Sequence, residues 1–266
     1  MEGADRAPGH PLGSLRSMRR RIVRGVFLAD LTWAEAGERF AAGAVVLIPV
    51  GAAAKEHGLH LPLDTDARVV RALAARAAVR LPLVVAPVVG FGYYPAFAAY
   101  PGSQHLRAET FTALVADLVG NFVAHRARKI AILNNGVSTE APLAEVARQF
   151  GARGIDPLIL NTRTLGRGAD RLLQQTSGGH ADERETSVML ALAPETVRLE
   201  RARPAYRPAG APMPFSPDPA SPGYNPTGAT GDPSLATAAK GEAILAEMER
   251  EIVGALAARW PELSEG

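Results

Sequence analysis

The chain has 266 residues, of which 47% are hydrophobic and 21% are charged, and its formal net charge is +2. This composition is ordinary for a globular protein with one large domain or two small ones. The absence of cysteine excludes disulfides and thiolate-bound zinc or iron–sulfur sites. Any metal must therefore be held by His, Asp and Glu.

The first 22 residues combine Pro, Gly and several Arg side chains, and we interpret them as a disordered basic tail rather than a nucleic-acid-binding arm. They contain no apolar core of a secretory signal, and no stretch of the sequence is apolar for long enough to span a membrane. We therefore expect a cytoplasmic protein with no nucleic-acid or membrane partner. Residues 23–266 are expected to form a single domain.

Buried strands alternate with amphipathic helices over the first 160 residues. The apolar runs predict strands over 44–50, 83–89, 129–133 and 157–160, and the helical patterns predict helices from Asp30 or Thr32 to about Gly43 and over 65–81, 106–125 and 139–150. The strands are continuously apolar, as expected when helices cover both faces of a parallel sheet. The predicted fold class is α/β, a three-layer α/β/α sandwich with a mainly parallel sheet.

The second part of the chain contains a proline-rich segment. A helix is predicted over 182–192 and another over 233–260, and residues 204–233 between them carry nine prolines. Such a segment cannot form a regular element, and it could be a linker. We prefer a long loop that wraps over the domain, because the amphipathic last helix should dock on the same core.

Three polar loops follow the predicted strands, at residues 51–66, 90–105 and 134–140, and therefore share the functional edge of the sheet. The first contains six ionisable side chains in twelve residues: Lys55, Glu56, His57, His60, Asp64 and Asp66. Carboxylate and imidazole together suit zinc, manganese or iron(II), which acidify a water and polarise a carbonyl in hydrolases. The alternative is a polar loop in which Asp64 or Asp66 caps the next helix.

Weaker signals lie in three other places. His180, Asp182 and Glu183 form a second polar cluster, although acidic residues also favour the first turn of a helix. Tyr93 and Tyr94 could form a pocket wall. Residues 134–140, which include Ser138, offer backbone donors and a helix start that could hold an oxyanion.

The motifs resemble those of the creatininase family. The matching residues are Leu31-Thr32-Trp33, His57-Gly58, His60-Leu61-Pro62-Leu63, Asp66, Tyr100-Pro101-Gly102-Ser103, Glu185-Thr186-Ser187 and Gly231-Asp232-Pro233. The resemblance runs from about Phe27 to about Val253. A Lys-Glu-His-Gly loop at 55–58 together with a His-Ala-Asp-Glu loop at 180–183 resembles a divergent branch of that family.

The resemblance implies two divalent metals, zinc or manganese, and hydrolysis of an amide bond that is often cyclic. It implies that Asp66 bridges the metals, that His57 binds one of them, and that His180 acts as an acid or base. It also implies a closed homo-oligomer, either a hexamer or a dimer. The resemblance also implies that the substrate is a small molecule.

The chain departs from the family pattern at two places. Lys55 stands where the family has a Glu, so we expect the neighbouring Glu56 to take that role as a metal ligand. Val137 and Thr139 stand where the family has a His and a Glu; Glu140 lies one residue further on, and we expect compensation by the extra carboxylates Asp182 and Glu183. Lys55 could point into the site as a positive clamp or out into solvent.

We therefore predict a hydrolase with one or two metal ions per chain, zinc or manganese, with iron as the further candidate. The predicted metal ligands are Glu56, His57, Asp66, Glu140 and Asp182, and the predicted acids or bases are His180 and Glu183. Lys55, His60, Tyr93, Tyr94 and Ser138 are predicted to bind substrate. The alternatives are a non-catalytic small-molecule-binding or regulatory protein on a degraded hydrolase scaffold and a phosphate-binding transferase, for which no phosphate motif is present.

Overall fold

The computed structural model describes residues 24–208 and 210–264. The predicted basic tail lies outside these residues. Five parallel strands form one sheet in the order β1-β3-β2-β4-β5. They are β1 (Val26–Phe27), β2 (Val45–Val50), β3 (Leu83–Val85), β4 (Lys129–Asn134) and β5 (Leu158–Asn161). The predicted parallel sheet is confirmed.

Helices cover both faces of this sheet. They are α1 (Trp33–Ala41), α2 (Thr65–Arg80), α3 (Ala108–Ala124), α4 (Glu140–Gly151), α5 (Glu183–Leu192) and α6 (Ala238–Arg259). Alternate residues of β2 point to opposite sides, so Leu47 packs with α2, α5 and α6 whereas Ile48 packs with α1, α3 and α4. The result is the predicted α/β/α sandwich with two hydrophobic cores. Among the described residues, no helix has the length and apolarity needed to cross a membrane.

Three element boundaries differ from the sequence prediction. Strand β3 ends at Val85 rather than at residue 89, because Pro87 has no amide proton for the ladder, and only an isolated bridge joins Val89 to Val50. Helix α6 begins at Ala238 rather than at Pro233, since Pro233–Leu235 forms a separate 3-10 turn. The short edge strand β1 was not predicted, because two residues carry no periodic signal.

The proline-rich segment packs against the loops at the carboxyl edge of the sheet. Its Phe215 amide donates to the carbonyl of Ala96 at 2.9 Å, and its Thr230 amide donates to the carbonyl of His180 at 2.8 Å. Gly228 lies directly against the carboxylate of Glu56. The segment therefore forms part of the wall of the site described next.

Candidate metal centre

Four loops bring polar side chains together at the carboxyl edge of the sheet. Lys55, Glu56 and His57 come from the loop after β2, and Asp66 lies in the first turn of α2. The loops after β3 and β4 contribute aromatic and amide groups, and the loop before α5 contributes His180. The sequence predicted the convergence of the first three loops, and the loop before α5 joins them.

Asp66 is the centre of a buried network of cationic and polar donors. Its Oδ2 lies 2.6 Å from the ammonium of Lys55, and its Oδ1 lies 2.9 Å from Nε2 of His57 and accepts from Nδ2 of Asn135 at 2.9 Å. Lys55, His57 and Asp66 are each at least 94% buried. Lys55 therefore points into the site.

The charges around Asp66 keep its carboxylate ionised. Burial on its own would raise the pKa of Asp66, but the ammonium of Lys55 and the imidazole of His57 outweigh burial and hold the pKa well below its usual range. Asp66 is the second residue of α2, and Asp64 is its N-cap residue but makes no side-chain capping hydrogen bond. Neither side chain therefore caps the helix, as the alternative interpretation expected.

The hydrogen bonds of His57 match those of a metal-binding histidine. Its Nδ1 lies 2.9 Å from the carbonyl oxygen of Lys55, so this nitrogen carries a proton and donates it. The other nitrogen, Nε2, lies 2.9 Å from Oδ1 of Asp66 and donates to it when protonated, and a divalent cation that displaces this proton would take the Nε2 lone pair. Metal-binding histidines are held in this way by a backbone carbonyl on the second ring nitrogen.

His180 is oriented in the same way as His57, by a hydrogen bond that one ring nitrogen donates, here to Glu56, and its other ring nitrogen makes no hydrogen bond within the described residues. Its Nε2 lies 3.0 Å from both the carbonyl oxygen and Oε2 of Glu56, and therefore donates to Glu56. Its Nδ1 is 3.8 Å from Oε2 of Glu185, too far for a hydrogen bond, which leaves a lone pair facing that carboxylate. The ring of Phe97 stacks on His180 with centroids 4.1 Å apart.

Two acidic side chains next to His180 differ in their proton affinity. Burial would raise the pKa of Glu56, but the hydrogen bond from His180 and the charges of His180 and His57 lower it below its usual range. Burial raises the pKa of Glu185. Oε2 of Glu185 accepts a hydrogen bond from the Ala181 amide at 2.6 Å. Ala181 has a left-handed φ of +48°, a strained conformation that the surrounding contacts must hold in place.

His57, His180 and Glu185 fit a divalent cation. One ligand atom from each of the three lies within 4.8 Å of the others. Two nitrogen ligands and one carboxylate suit zinc or manganese, which bind such atoms at about 2.0–2.2 Å. Two ligand atoms that each lie about 2.2 Å from one ion are at most about 4.4 Å apart. The three ligand atoms would therefore have to move only slightly towards one another to bind an ion.

His60 supports the centre without joining this triad. It is buried, and its Nε2 lies 2.8 Å from the hydroxyl of Thr186 in α5. Burial lowers the pKa of His60 to about 4, so the ring is neutral at physiological pH. His60 therefore ties the first loop to helix α5, whereas the sequence predicted a substrate-binding role.

Tyr94 faces the centre, whereas Tyr93 and Ser138 lie elsewhere. The Lys55 ammonium is 5.4 Å from the centroid of the Tyr94 ring, and the buried Tyr94 hydroxyl is without a hydrogen-bond partner among the described residues. Burial, together with the charge of Asp66, raises the pKa of Tyr94 above its usual range. Tyr93 and Ser138 line a separate groove between α3 and α4.

Three predicted acidic site residues have other partners. Asp182 caps α5 by accepting the Glu185 amide at 3.0 Å, and it also accepts from Gln175 at 2.8 Å. Glu183 is fully buried and is held by the Lys240 ammonium at 2.5 Å and by the Gln174 and Gln175 amides. Glu140 forms a bidentate ion pair with Arg163. The structure does not bring these three carboxylates into the His57–His180–Glu185 cluster.

The sequence prediction missed Glu185, Asn135 and Phe97 as site residues. For Glu185, the sequence did contain a signal, namely its position three residues after Asp182. Asp182 is the N-cap of α5, and the third residue of a helix sends its side chain back towards the cap. Glu185 occupies that position and so reaches the turn that carries His180.

A cavity of about 190 Å³ adjoins the centre. Glu185 and Asn135 line it on the side of the centre, and Arg163, Arg167 and Arg184 line it further out. The three arginines are all engaged with acidic partners, Glu140 in one case and Asp170 in the other two. Of the three candidate cation ligands, Glu185 lines this cavity.

This fold and site define a class: an α/β/α protein with a histidine–carboxylate centre at the carboxyl edge of its sheet. The sequence model of the family described as creatinine amidohydrolase matches residues 29–256. The chain belongs to the creatininase family. Its matched relatives are hydrolases.

Individual relatives match over most of their length. A creatinine amidohydrolase of Pseudomonas putida is 28% identical, over 90% of this chain and 99% of the relative. A mycofactocin precursor peptide peptidase of Mycobacterium tuberculosis is 32% identical, over 83% and 87%. A solved structure named creatininase Mn superposes with a TM-score of 0.78 at 26% identity, over 89% of this chain and 99% of the other.

Proposed function

We propose that the protein is a metal-dependent hydrolase that cleaves the C–N bond of a small amide, cyclic or linear. The observation that carries this proposal is the convergence of His57, His180 and Glu185 on one point beside a cavity. The family supports a hydrolase, and the metal and the substrate class are our proposals. Zinc or manganese held there would supply Lewis-acid polarisation of the carbonyl and a more acidic water.

The chain's own residues prepare this centre in three ways. Lys55 and Asp66 fix the His57 ring through its two nitrogens, one by a backbone carbonyl and one by a carboxylate. Glu56 holds the Nε2 proton of His180 and so directs Nδ1 at Glu185. Phe97 stacks on His180 and limits water around it. The ligand atoms are thereby oriented before substrate binds.

We assign proton transfer to Glu56 rather than to Glu183. Glu183 is surrounded by Lys240 and two backbone amides, so it cannot approach a substrate in the cavity. Glu56 already shares a proton with His180 and, unlike Asp66, makes no ion pair with lysine. A buried carboxylate in that position can accept a proton from water and return it to the leaving nitrogen.

Tyr94 is the group that we expect to contact the substrate carbonyl. Its hydroxyl is buried and unpartnered among the described side chains, a state that normally costs about 1–3 kcal/mol. A hydrogen bond to a bound substrate would remove that cost. Since the cavity of about 190 Å³ is smaller than the roughly 300–1,000 Å³ of drug-sized sites, it favours a small amide over a folded peptide.

The test is hydrolysis of a panel of cyclic amides, lactams, formamides and short peptides. Chelator-treated protein should be inactive, and zinc or manganese should restore its activity. Glu185→Gln should lose at least about 100-fold in kcat/KM, which corresponds to about 2.7 kcal/mol. Glu145→Gln, an exposed carboxylate on α4, is the matched control and should retain full activity.

A metal-free protein with no hydrolysis on any substrate would favour the alternative, a small-molecule-binding or regulatory protein on this scaffold. Cleavage of peptides alone would retain the hydrolase but change the substrate class. The cytoplasmic location and the homo-oligomer, hexamer or dimer, stay predictions. Light scattering on the purified protein tests the oligomer.

A further inference from the structure

We infer that the centre holds one divalent cation per chain, and that the Lys55 ammonium occupies the place of a second cation at Asp66. The inference rests on the proposed function, because it concerns the metal at the same site. It specifies the number of ions and the residue that limits it.

Asp66 presents its two carboxylate oxygens to two different cationic positions. Oδ1 faces Nε2 of His57, on the side of the His57–His180–Glu185 cluster. Oδ2 pairs with the Lys55 ammonium at 2.6 Å, and among the described residues it accepts no hydrogen bond of regular geometry. A metal ion that binds at Oδ2 would have to displace a buried ammonium from the one carboxylate that it pairs with in the described part of the chain.

The surroundings hold the ammonium in this place. Lys55 is 94% buried, and its Nζ lies 5.4 Å from the Tyr94 ring centroid and 5.2 Å from that of Phe97. Both rings can attract a cation through their faces. The Lys55 amide also donates to the carbonyl of Leu63 at 3.0 Å, which fixes the backbone from which the side chain extends.

Formal charge at the centre also matches a single divalent ion. With both histidines neutral, as metal ligands must be, Glu56, Asp66 and Glu185 provide three carboxylates and Lys55 provides one ammonium, which leaves two negative charges in excess. One divalent cation neutralises them, whereas two would leave a buried positive excess, which is costly in a low-dielectric site. The neighbouring Glu183 is balanced separately by Lys240, and Asp182 by the amino end of α5.

The number of side chains that could bind a metal also indicates a single ion. Within residues 24–208 and 210–264, His57, His180 and Glu185 are the one group of three acidic or imidazole side chains close enough to hold an ion. The loop after β4 offers the amide of Asn135, which donates to Oδ1 of Asp66, and the hydroxyl of Thr139, which is occupied by Asn134 and Gly136. Neither replaces a carboxylate or an imidazole as a zinc or manganese ligand.

The experiment is a count of metal ions per chain. Full-length protein is stripped with chelator, loaded with excess zinc or manganese, desalted and analysed by elemental mass spectrometry and native mass spectrometry. Wild type should retain one equivalent. Lys55→Glu, which exchanges the ammonium for a carboxylate beside Asp66, should retain two. Lys129→Glu, at a partly exposed lysine that begins β4 on the opposite edge of the sheet, is the matched control and should retain one.

Each outcome is decisive. Two equivalents in wild type would overturn the inference and leave the proposed metal-dependent hydrolase standing. No equivalent in wild type would overturn both. One equivalent in wild type and also in a folded Lys55→Glu variant would show that Lys55 is not what excludes the second ion. If that variant does not fold, Lys55→Met removes the ammonium without adding a charge: two equivalents in that variant would support the inference, and one equivalent in the folded variant would overturn it.

Discussion

The ammonium of Lys55 lies 2.6 Å from Oδ2 of Asp66, and both side chains are almost completely buried. This ion pair joins the loop after β2 to the first turn of α2, and the other oxygen of the same carboxylate contacts His57, one of the proposed cation ligands. Its two charges depend on each other, since neither has water to replace the partner.

Removing the negative partner of this pair should destabilise the protein strongly. We expect Asp66→Asn to lower the free energy of unfolding by about 3–5 kcal/mol in chelator, because a buried ammonium is left without a countercharge. Urea denaturation measures the change. Asp64→Asn is the control: its pair with Arg68 is partly exposed, so we expect a loss below about 1 kcal/mol. If Asp66→Asn also lowered the free energy of unfolding by less than about 1 kcal/mol, the buried ion pair would not stabilise the protein as described.

His60 should make the metal-free protein sensitive to acid. Its pKa is about 4 in the folded protein, against about 6.5 in the unfolded chain. Because the folded pKa is the lower one, the unfolded chain binds the extra proton, and stability is lost as pH falls from about 6.5 to about 4.

The loss attributable to His60 approaches about 3 kcal/mol at the end of that range. The measurement is urea denaturation of wild type and His60→Gln at pH 7 and at pH 4.5. The wild type should lose more stability on acidification than the variant. Parallel losses in the two proteins would show that another group causes the acid sensitivity.

Asp182 provides a test of structural against metal-binding roles. Its carboxylate caps α5 and accepts from Gln175 and Gly179. We expect Asp182→Ala to lower the free energy of unfolding by about 1–2 kcal/mol, whereas Asp182→Asn, which also caps helices well, should lose less. Both variants should retain the wild-type metal content. A loss of metal in Asp182→Asn would restore the sequence-based assignment of Asp182 as a ligand.

Gly228 should be intolerant of any side chain. It has a φ of +71°, and a methyl group there would collide with the Glu56 carboxylate. Gly210 has a φ of +76° with open space around it, so Gly210→Ala isolates the backbone cost of about 1–2 kcal/mol. Gly228→Ala should lose more stability than this control and should lower kcat/KM, since Glu56 must move. Equal effects of the two substitutions would show that the loop does not position Glu56.

The sequence predicted the layers and the edge of the sheet that carries the site. Continuous apolar runs such as 45–50 can only be buried between two helical layers, and parallel strands place the loops that follow them at one edge. That His57 and Asp66 act together at this edge was implied by the resemblance to the creatininase family, whereas the layers and the edge followed from local pattern and topology.

The sequence could not predict which partner each individual side chain contacts. Tyr93 and Tyr94 are adjacent, but only the backbone angles of that loop decide that Tyr94 faces Lys55. Glu183 and Glu185 are two residues apart in one helix, and the contact of Lys240 with Glu183 depends on the packing of α6 against α5. Long-range contacts of this kind have no signature in a single sequence.

The most direct test of the central claim is the zinc dissociation constant of wild type and Glu185→Gln, measured by competition with a chromophoric chelator. If His57, His180 and Glu185 hold the ion, the variant should bind zinc at least about 100-fold more weakly, because loss of a ligand should exceed the 10–100-fold cost of losing a ligand's support. Glu145→Gln should bind as wild type does. An unchanged dissociation constant in a folded Glu185→Gln protein would contradict the assignment of this metal centre.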